Sequence, residues 1–161
     1  MDTYRRRGSM QRGKGFKELY HAFGLDSSRK GNLQYVEGDD EPSLMFLAGN
    51  SLVFVGLSSV TRRYLFSIGG HGLGSFVVHP SHNYLAVGET GNSPNVFVYT
   101  YPELHVFKTL KNGAIRSFSC MSFSPSGEKL ATVSSSPDFL LTIWDWAEER
   151  MLLHSKVSCQ N

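Results

Sequence analysis

Residues 77–155 contain the same pattern twice. Sliding 77–110 onto 122–155, an offset of 45 residues with no gap, lays Pro80-Ser81 on Pro125-Ser126, Leu85-Ala86 on Leu130-Ala131, Val96 on Leu141, Val98 on Ile143, Tyr99 on Trp144 and Glu103 on Glu148. A gapless repeat of this length constrains the fold more than composition does. Each copy has to be one supersecondary module that cannot bury its faces alone and must stack on its neighbours. Within each copy, short runs of β-branched and aromatic residues alternate with Pro-Ser, polar or charged turns, the spacing of consecutive antiparallel strands.

One unit runs through strands at 76–78, 84–87, 96–101 and 105–110, with the Pro80 turn and a polar loop at 89–95 between them. The next follows the same plan at 120–123, 130–133, 140–146 and 151–154, across Pro125-Ser126-Gly127 and the loop 134–138. A divergent first unit is expected from 33–36, the turn 39–42, the strands 43–48 and 51–57 around the hairpin signal Gly49-Asn50, and 63–68. The nearly continuous apolar run 52–57 suits a strand covered on both faces. Four strands per unit and the pair Trp144-Asp145 ending a third strand resemble the blades of WD40-type β-propellers. The expected fold is therefore all-β, with about three blades at 33–68, 69–110 and 111–156 and a tail at 157–161. Closed propellers need roughly four to eight blades. An incomplete, unclosed propeller is the consequence, its remaining blades expected from a longer form of the same protein.

Composition fits a packed β array. Hydrophobic residues make up 40% and aromatics 12%, enough for a core. No apolar run approaches the 18 or so residues of a membrane span, and no apolar stretch of signal-peptide type follows the basic N-terminus, so a cytoplasmic protein without a membrane partner is expected. Cys120 and Cys159 have neither metal-ligand nor disulfide-framework spacing. Charge is uneven: Arg5, Arg6, Arg7, Arg12, Lys14 and Lys17 stand against Asp2 alone, within a chain of net +2. Residues 1–15 are expected to be a disordered basic arm. Residues 16–32 are expected to hold a short helix or turn and a linker, with Phe16, Leu19, Tyr20 and Phe23 on one helical face and Gly24 as its C-cap. Arg6-Arg7-Gly8-Ser9 has the form basophilic kinases prefer, which makes Ser9 a phosphorylation candidate that would offset part of the arm's charge. Few aromatics interleave the arm's cations, so nucleic acid is not an expected partner.

No constellation points to catalysis. The loop Gly69-Gly70-His71-Gly72-Leu73-Gly74 lacks the Lys-Ser/Thr of a P-loop and leads into no helix, so an inter-blade turn is the preferred reading. His71, His79 and His82 gain no converging Cys or carboxylate and do not make a zinc set. No Gly-x-Ser-x-Gly elbow stands between strand and helix. The chain is therefore expected to be a non-enzyme without cofactor or metal. Trp144 is read as a residue packed between sheets. The WD40 resemblance implies that it joins a hydrogen-bonded set with an Asp in the preceding turn, for which Asp138 is the candidate, and a His near the start of the blade. The repeat offset puts Arg116 where His71 stands one unit earlier.

Beyond the blades in general, several segments in one order resemble the N-terminal propeller of the cilia- and flagella-associated protein 44 family: Ala22-Phe23-Gly24-Leu25-Asp26 with Arg29-Lys30 and Asn32-Leu33, then Leu47-Ala48-Gly49-Asn50-Ser51-Leu52-Val53, Val78-His79-Pro80, Ala86-Val87-Gly88-Glu89, residues 99–104, and Pro137-Asp138 with Leu141-Thr142-Ile143-Trp144-Asp145-Trp146. The resemblance implies a scaffold in the axoneme of motile cilia and sperm flagella, bound to other axonemal proteins and helping to tether inner-arm dynein to doublet microtubules. A generic cytosolic WD40 adaptor outside cilia is the alternative.

Overall fold

The computed structural model describes residues 24–26, 29, 31–38 and 41–157. The basic arm, the helical segment before Gly24, Ser9, Cys159 and all of the tail except Val157 lie outside them. The described chain forms twelve strands in three four-stranded antiparallel sheets. The first blade is β1 (Gln34–Val36), β2 (Ser43–Ala48), β3 (Ser51–Gly56) and β4 (Arg62–Phe66). The second is β5 (Leu73–Val78), β6 (Tyr84–Glu89), β7 (Val96–Thr100) and β8 (Val106–Leu110). The third is β9 (Phe118–Phe123), β10 (Lys129–Ser134), β11 (Leu140–Asp145) and β12 (Arg150–Lys156). In each blade the strands lie side by side in chain order. The first strands β1, β5 and β9 run along one side of the array, where β5 lies against both others. Three blades stack and do not close a ring.

The repeat seen in the sequence is a repeat of backbone geometry. The pairing of third and fourth strands slips between Val98 and Tyr99 in blade 2 and between Ile143 and Trp144 in blade 3, the same bulge one period apart. The tips joining those strands each place one residue in the left-handed region: Val60 (φ 55°), Leu104 (φ 60°) and Glu149 (φ 53°). At Val60 the branched Cβ makes that conformation costly. Glu41 holds this tip, its carboxylate accepting from the N–H groups of Ser58 and Ser59 at 2.8 Å and from the hydroxyls of Ser59 and Thr61. Those donors, the Ser59 hydroxyl first, hold the Glu41 carboxyl below its ordinary range.

Several strand boundaries differ from the sequence expectation. β5 and β9 start at Leu73 and Phe118, three and two residues earlier than expected, because the two strands meet at Gly74. A Cβ there would lie 2.5 Å from the Phe118 carbonyl oxygen, so the glycine that hides the strand in the sequence is what permits the contact. β4 stops at Phe66, and Ser67, Ile68 and Gly69 turn toward the next blade to be bound by Glu89.

Two apolar layers hold the array together. Blades 1 and 2 share a core containing Met45, Leu47, Leu52, Phe54, Leu73, Leu85, Val87, Phe97 and Tyr99. Blades 2 and 3 share one containing Ala86, Val96, Val98, Phe118, Leu130, Trp144 and Trp146. Adjacent residues of β6 and β7 thus enter different layers, as the two-residue period of a strand requires. Burial beside Glu89 pushes the Tyr99 hydroxyl well above its usual pKa, burial being the larger cause.

Candidate interaction surface

Polar ties repeat along both seams. Between blades 1 and 2, the Gln34 side-chain amide donates to Phe76 O and accepts from Val78 N, both at 3.0 Å, so that one side chain reads the free edge of β5 as a strand would. Arg29 holds the same strand further along as a donor alone, to Leu73 O at 2.8 Å and Gly74 O at 3.1 Å. The Glu37 N–H donates to His82 Nδ1 at 2.9 Å, and Arg63 donates to the Pro102 carbonyl. Between blades 2 and 3, Thr90 bridges Ser117, the Gly91 and Ser93 N–H groups donate to the carbonyls of Arg116 and Ile115, and the Thr109 N–H donates to Glu149 at 3.0 Å.

His79 is the centre of the second seam. Its Nδ1 accepts from the Ser81 N–H at 3.0 Å, which leaves the proton on Nε2 to be donated to the Gly127 carbonyl at 3.0 Å. Trp146 donates to the same carbonyl at 2.7 Å, and the His79 ring meets Tyr84, Phe123 and Trp146 edge-on. Burial, the largest cause, lowers the His79 pKa, and the nearby His82 lowers it further against an opposing contribution from the Gly127 bond. The neutral ring is the form that this junction uses. His79, His82 and His71 serve three separate places: His82 ties blade 1, and His71 lies against Gly91 with its carbonyl accepting from the Thr90 hydroxyl. Among the described residues, no group of His, Cys, Asp or Glu is arranged to hold a metal ion.

The residues singled out around Trp144 do not form the expected hydrogen-bonded set, because Trp144, Asp138 and Asp145 each bond to different partners. Trp144 is 1% exposed, and its indole N–H donates to the Thr132 hydroxyl at 3.0 Å. Asp138 accepts from the Ile115 N–H at 3.0 Å through Oδ2, while its buried Oδ1 has no partner. Asp145 points elsewhere, pairing with Lys129 at 3.0 Å and Arg150 at 3.5 Å, and the Lys129 bond is the main cause of its lowered pKa. Arg116 is exposed and does not enter the set. Gly113 adjoins Trp144: a Cβ on it would lie 2.7 Å from Trp144 Cζ2, and the next residue, Ala114, is buried. The blade-start position opposite Trp144 is therefore Gly113-Ala114, two residues before the repeat offset places it, and alanine stands there without a donor for Asp138. Glu89 stands within one of the resembling segments of the sequence, with no sign there of its role. It is 4% exposed and organises the entry to blade 2 as Asp138 organises the entry to blade 3. The 45-residue offset pairs Glu89 with Ser134, which conceals the equivalence.

Two open surfaces of the described residues adjoin the third blade. A cleft of about 520 Å³ lies beside the His79 junction, lined by His79, Gly127, Lys129, Asp145, Trp146 and Glu148 among others. The larger feature is the face of blade 3 turned away from blade 2, where Ala131, Val133, Leu141 and Ile143 are only partly buried and Cys120 is exposed. Lys129, Asp145 and Arg150 form a charged rim at one end of it.

These features define a class: an array of stacked propeller blades that presents loops and sheet faces. No protein-family model matches the chain. Over about nine tenths of its length, however, it resembles cilia- and flagella-associated protein 44. It is 37% identical over 146 residues, 91% of this chain, to that protein of Mus musculus. It is 40% identical over 158 residues (94%) to that of Chlamydomonas reinhardtii and 30% identical over 145 residues (89%) to that of Trypanosoma brucei brucei. The chain spans only 8–9% of the length of these relatives.

Proposed function

We propose that this chain is a non-catalytic scaffold segment of the motile ciliary and flagellar axoneme. It contributes to assembly and beating of cilia and sperm flagella by helping to hold inner-arm dynein on doublet microtubules. The observation that carries this reading is the 37–40% identity, across more than nine tenths of the chain, to proteins named as cilia- and flagella-associated in an animal and an alga. A stack of blades supports it physically, because loops projecting from a rigid core can meet different partners at once. The partners expected are other axonemal proteins, with no membrane or nucleic acid among them.

The test is imaging of the tagged protein in multiciliated cells or sperm, followed by detergent extraction. Axonemal signal that resists detergent, with expression that rises on ciliation and slow or misassembled cilia on depletion, is the expected result. A diffuse, fully extractable signal would overturn the axonemal reading and leave a general cytosolic adaptor.

A further inference from the structure

The seam between blades 2 and 3 contains a size match that the repeat carries forward onto the open face of blade 3. Phe118, 1% exposed, lies over Gly88 of β6: a Cβ on Gly88 would come within 2.8–2.9 Å of Phe118 Cβ, Cγ and Cδ2. Gly88 therefore forms a notch, and the phenyl group of the next blade occupies it. One seam earlier, the residue related to Phe118 by the 45-residue period is Leu73, and it is buried in a layer with Leu47 of β2. Leu47 pairs with Leu52 across blade 1 as Gly88 pairs with Val96 across blade 2, so the two are equivalent positions. Where the receiving residue is leucine, the entering one is leucine; where it is glycine, the entering one is phenylalanine. Close packing at fixed blade spacing demands such compensation.

On blade 3 the receiving position is Val133, one period beyond Gly88. It lies on the open face with Ala131, Leu141 and Ile143, whose counterparts Ala86, Val96 and Val98 are each 0% exposed beneath blade 3. We infer that the open face of blade 3 is the seat of a further four-stranded blade whose first strand sets an aliphatic side chain, and not an aromatic one, against Val133. Continuity with the existing seam selects this occupant: the apolar positions recur in the same register, and Val133 fills the notch that admits Phe118 one seam earlier. The inference concerns packing and does not depend on where the protein works in the cell.

Cys120 pairs with Val133 across β9 and β10, and its counterpart Ser75 is partly covered beneath blade 3, so the exposure of its thiol falls when this face is covered. The test extends the full chain after Lys156 with a second copy of residues 112–156, in which the copied Cys120 is serine; the tail that carries Cys159 is replaced by the copy. The reference is the unextended chain with Cys159→Ser. Iodoacetamide alkylation of Cys120 is followed under native conditions. A copy carrying Phe118→Leu is expected to slow alkylation at least tenfold, and a copy retaining phenylalanine far less. Val133→Gly in the host blade should restore protection by the phenylalanine copy, and Leu141→Arg should abolish protection by the leucine copy. Equal protection by the two copies would overturn the size rule. No protection by the leucine copy, folded or not, would overturn the seat itself. Concentration-dependent protection of the unextended chain would assign the face to a second copy of this protein and likewise overturn the inference.

Discussion

Blades 2 and 3 carry the same apolar face, and only one of them is covered. Ala86, Val96 and Val98 are fully buried, whereas Ala131, Leu141 and Ile143, one period later, remain partly open. The chemistry of a face thus belongs to the repeat, and its burial belongs to the neighbour. Substitutions on the covered side of a blade should accordingly be felt as core changes, and those on the open side as surface changes, even where the repeat makes the positions equivalent.

The largest test of this comparison is Trp144→Ala, on the covered side of blade 3. Loss of a fully buried indole and the cavity left behind should cost about 3–5 kcal/mol in denaturant titration. His71→Ala, in the exposed inter-blade turn, should cost far less; equal small losses would mean that the covered layer is not the core. Next in size is Gly88→Val, which drives a side chain into Phe118 and should cost about 1–3 kcal/mol. Val133→Ala, at the equivalent open position, should cost less than about 1 kcal/mol, since a partly exposed side chain loses little on truncation. If the two costs match, the open face is not open in solution.

Acid should loosen the covered seam in a smaller step. The folded-state pKa of His79 lies below its ordinary 6.5, so its contribution is complete above pH 6.5 and is lost as pH falls through the folded value. Protonation removes the Nδ1 acceptor used by the Ser81 N–H. Asp145, also lowered, holds its contribution above its ordinary 3.8 and loses it only in stronger acid. A stability-pH profile should therefore show two separate declines, and His79→Gln should erase the upper one alone. Val60→Asn is expected to have the smallest effect, and a favourable one. Relief of a β-branched residue at φ 55° should add about 1 kcal/mol, read as a raised unfolding midpoint, while Leu104→Asn at the corresponding tip should add less.

The repeat made the blade count, the strand order and the buried role of Trp144 legible, because periodic apolar residues report directly on which faces are covered. Asp138 could be chosen from the WD40 resemblance, since it stands in the turn before the Trp-Asp strand. Glu89 and Gly113-Ala114 could not be placed by the 45-residue offset. That offset holds where strands pair in register and drifts in the loops between blades, where length is free to vary. Gly74 and Gly88 were opaque for another reason: a glycine carries no side-chain signal, and the one that meets it, Phe118, lies 30 or more residues away. Glu41, which fixes the tip between β3 and β4, lies in an acidic stretch of sequence next to Pro42, so its pattern resembles a solvated turn.

Several of the bonds that join blades reach about one repeat unit along the chain, and the others reach less. Gln34 finds Val78 after 44 residues, Glu37 finds His82 after 45, Thr109 finds Glu149 after 40 and His79 finds Gly127 after 48. Each seam can therefore be completed only when one further unit has been made, and none waits for a distant end of the chain. At a synthesis rate of roughly 5–20 residues per second, a blade leaving the ribosome would stand exposed for about 2–9 s before the next one docks on it. The order of assembly is in this way the order of translation, and it is during that short interval, on each newly made face, that the chain is most open to capture by a chaperone.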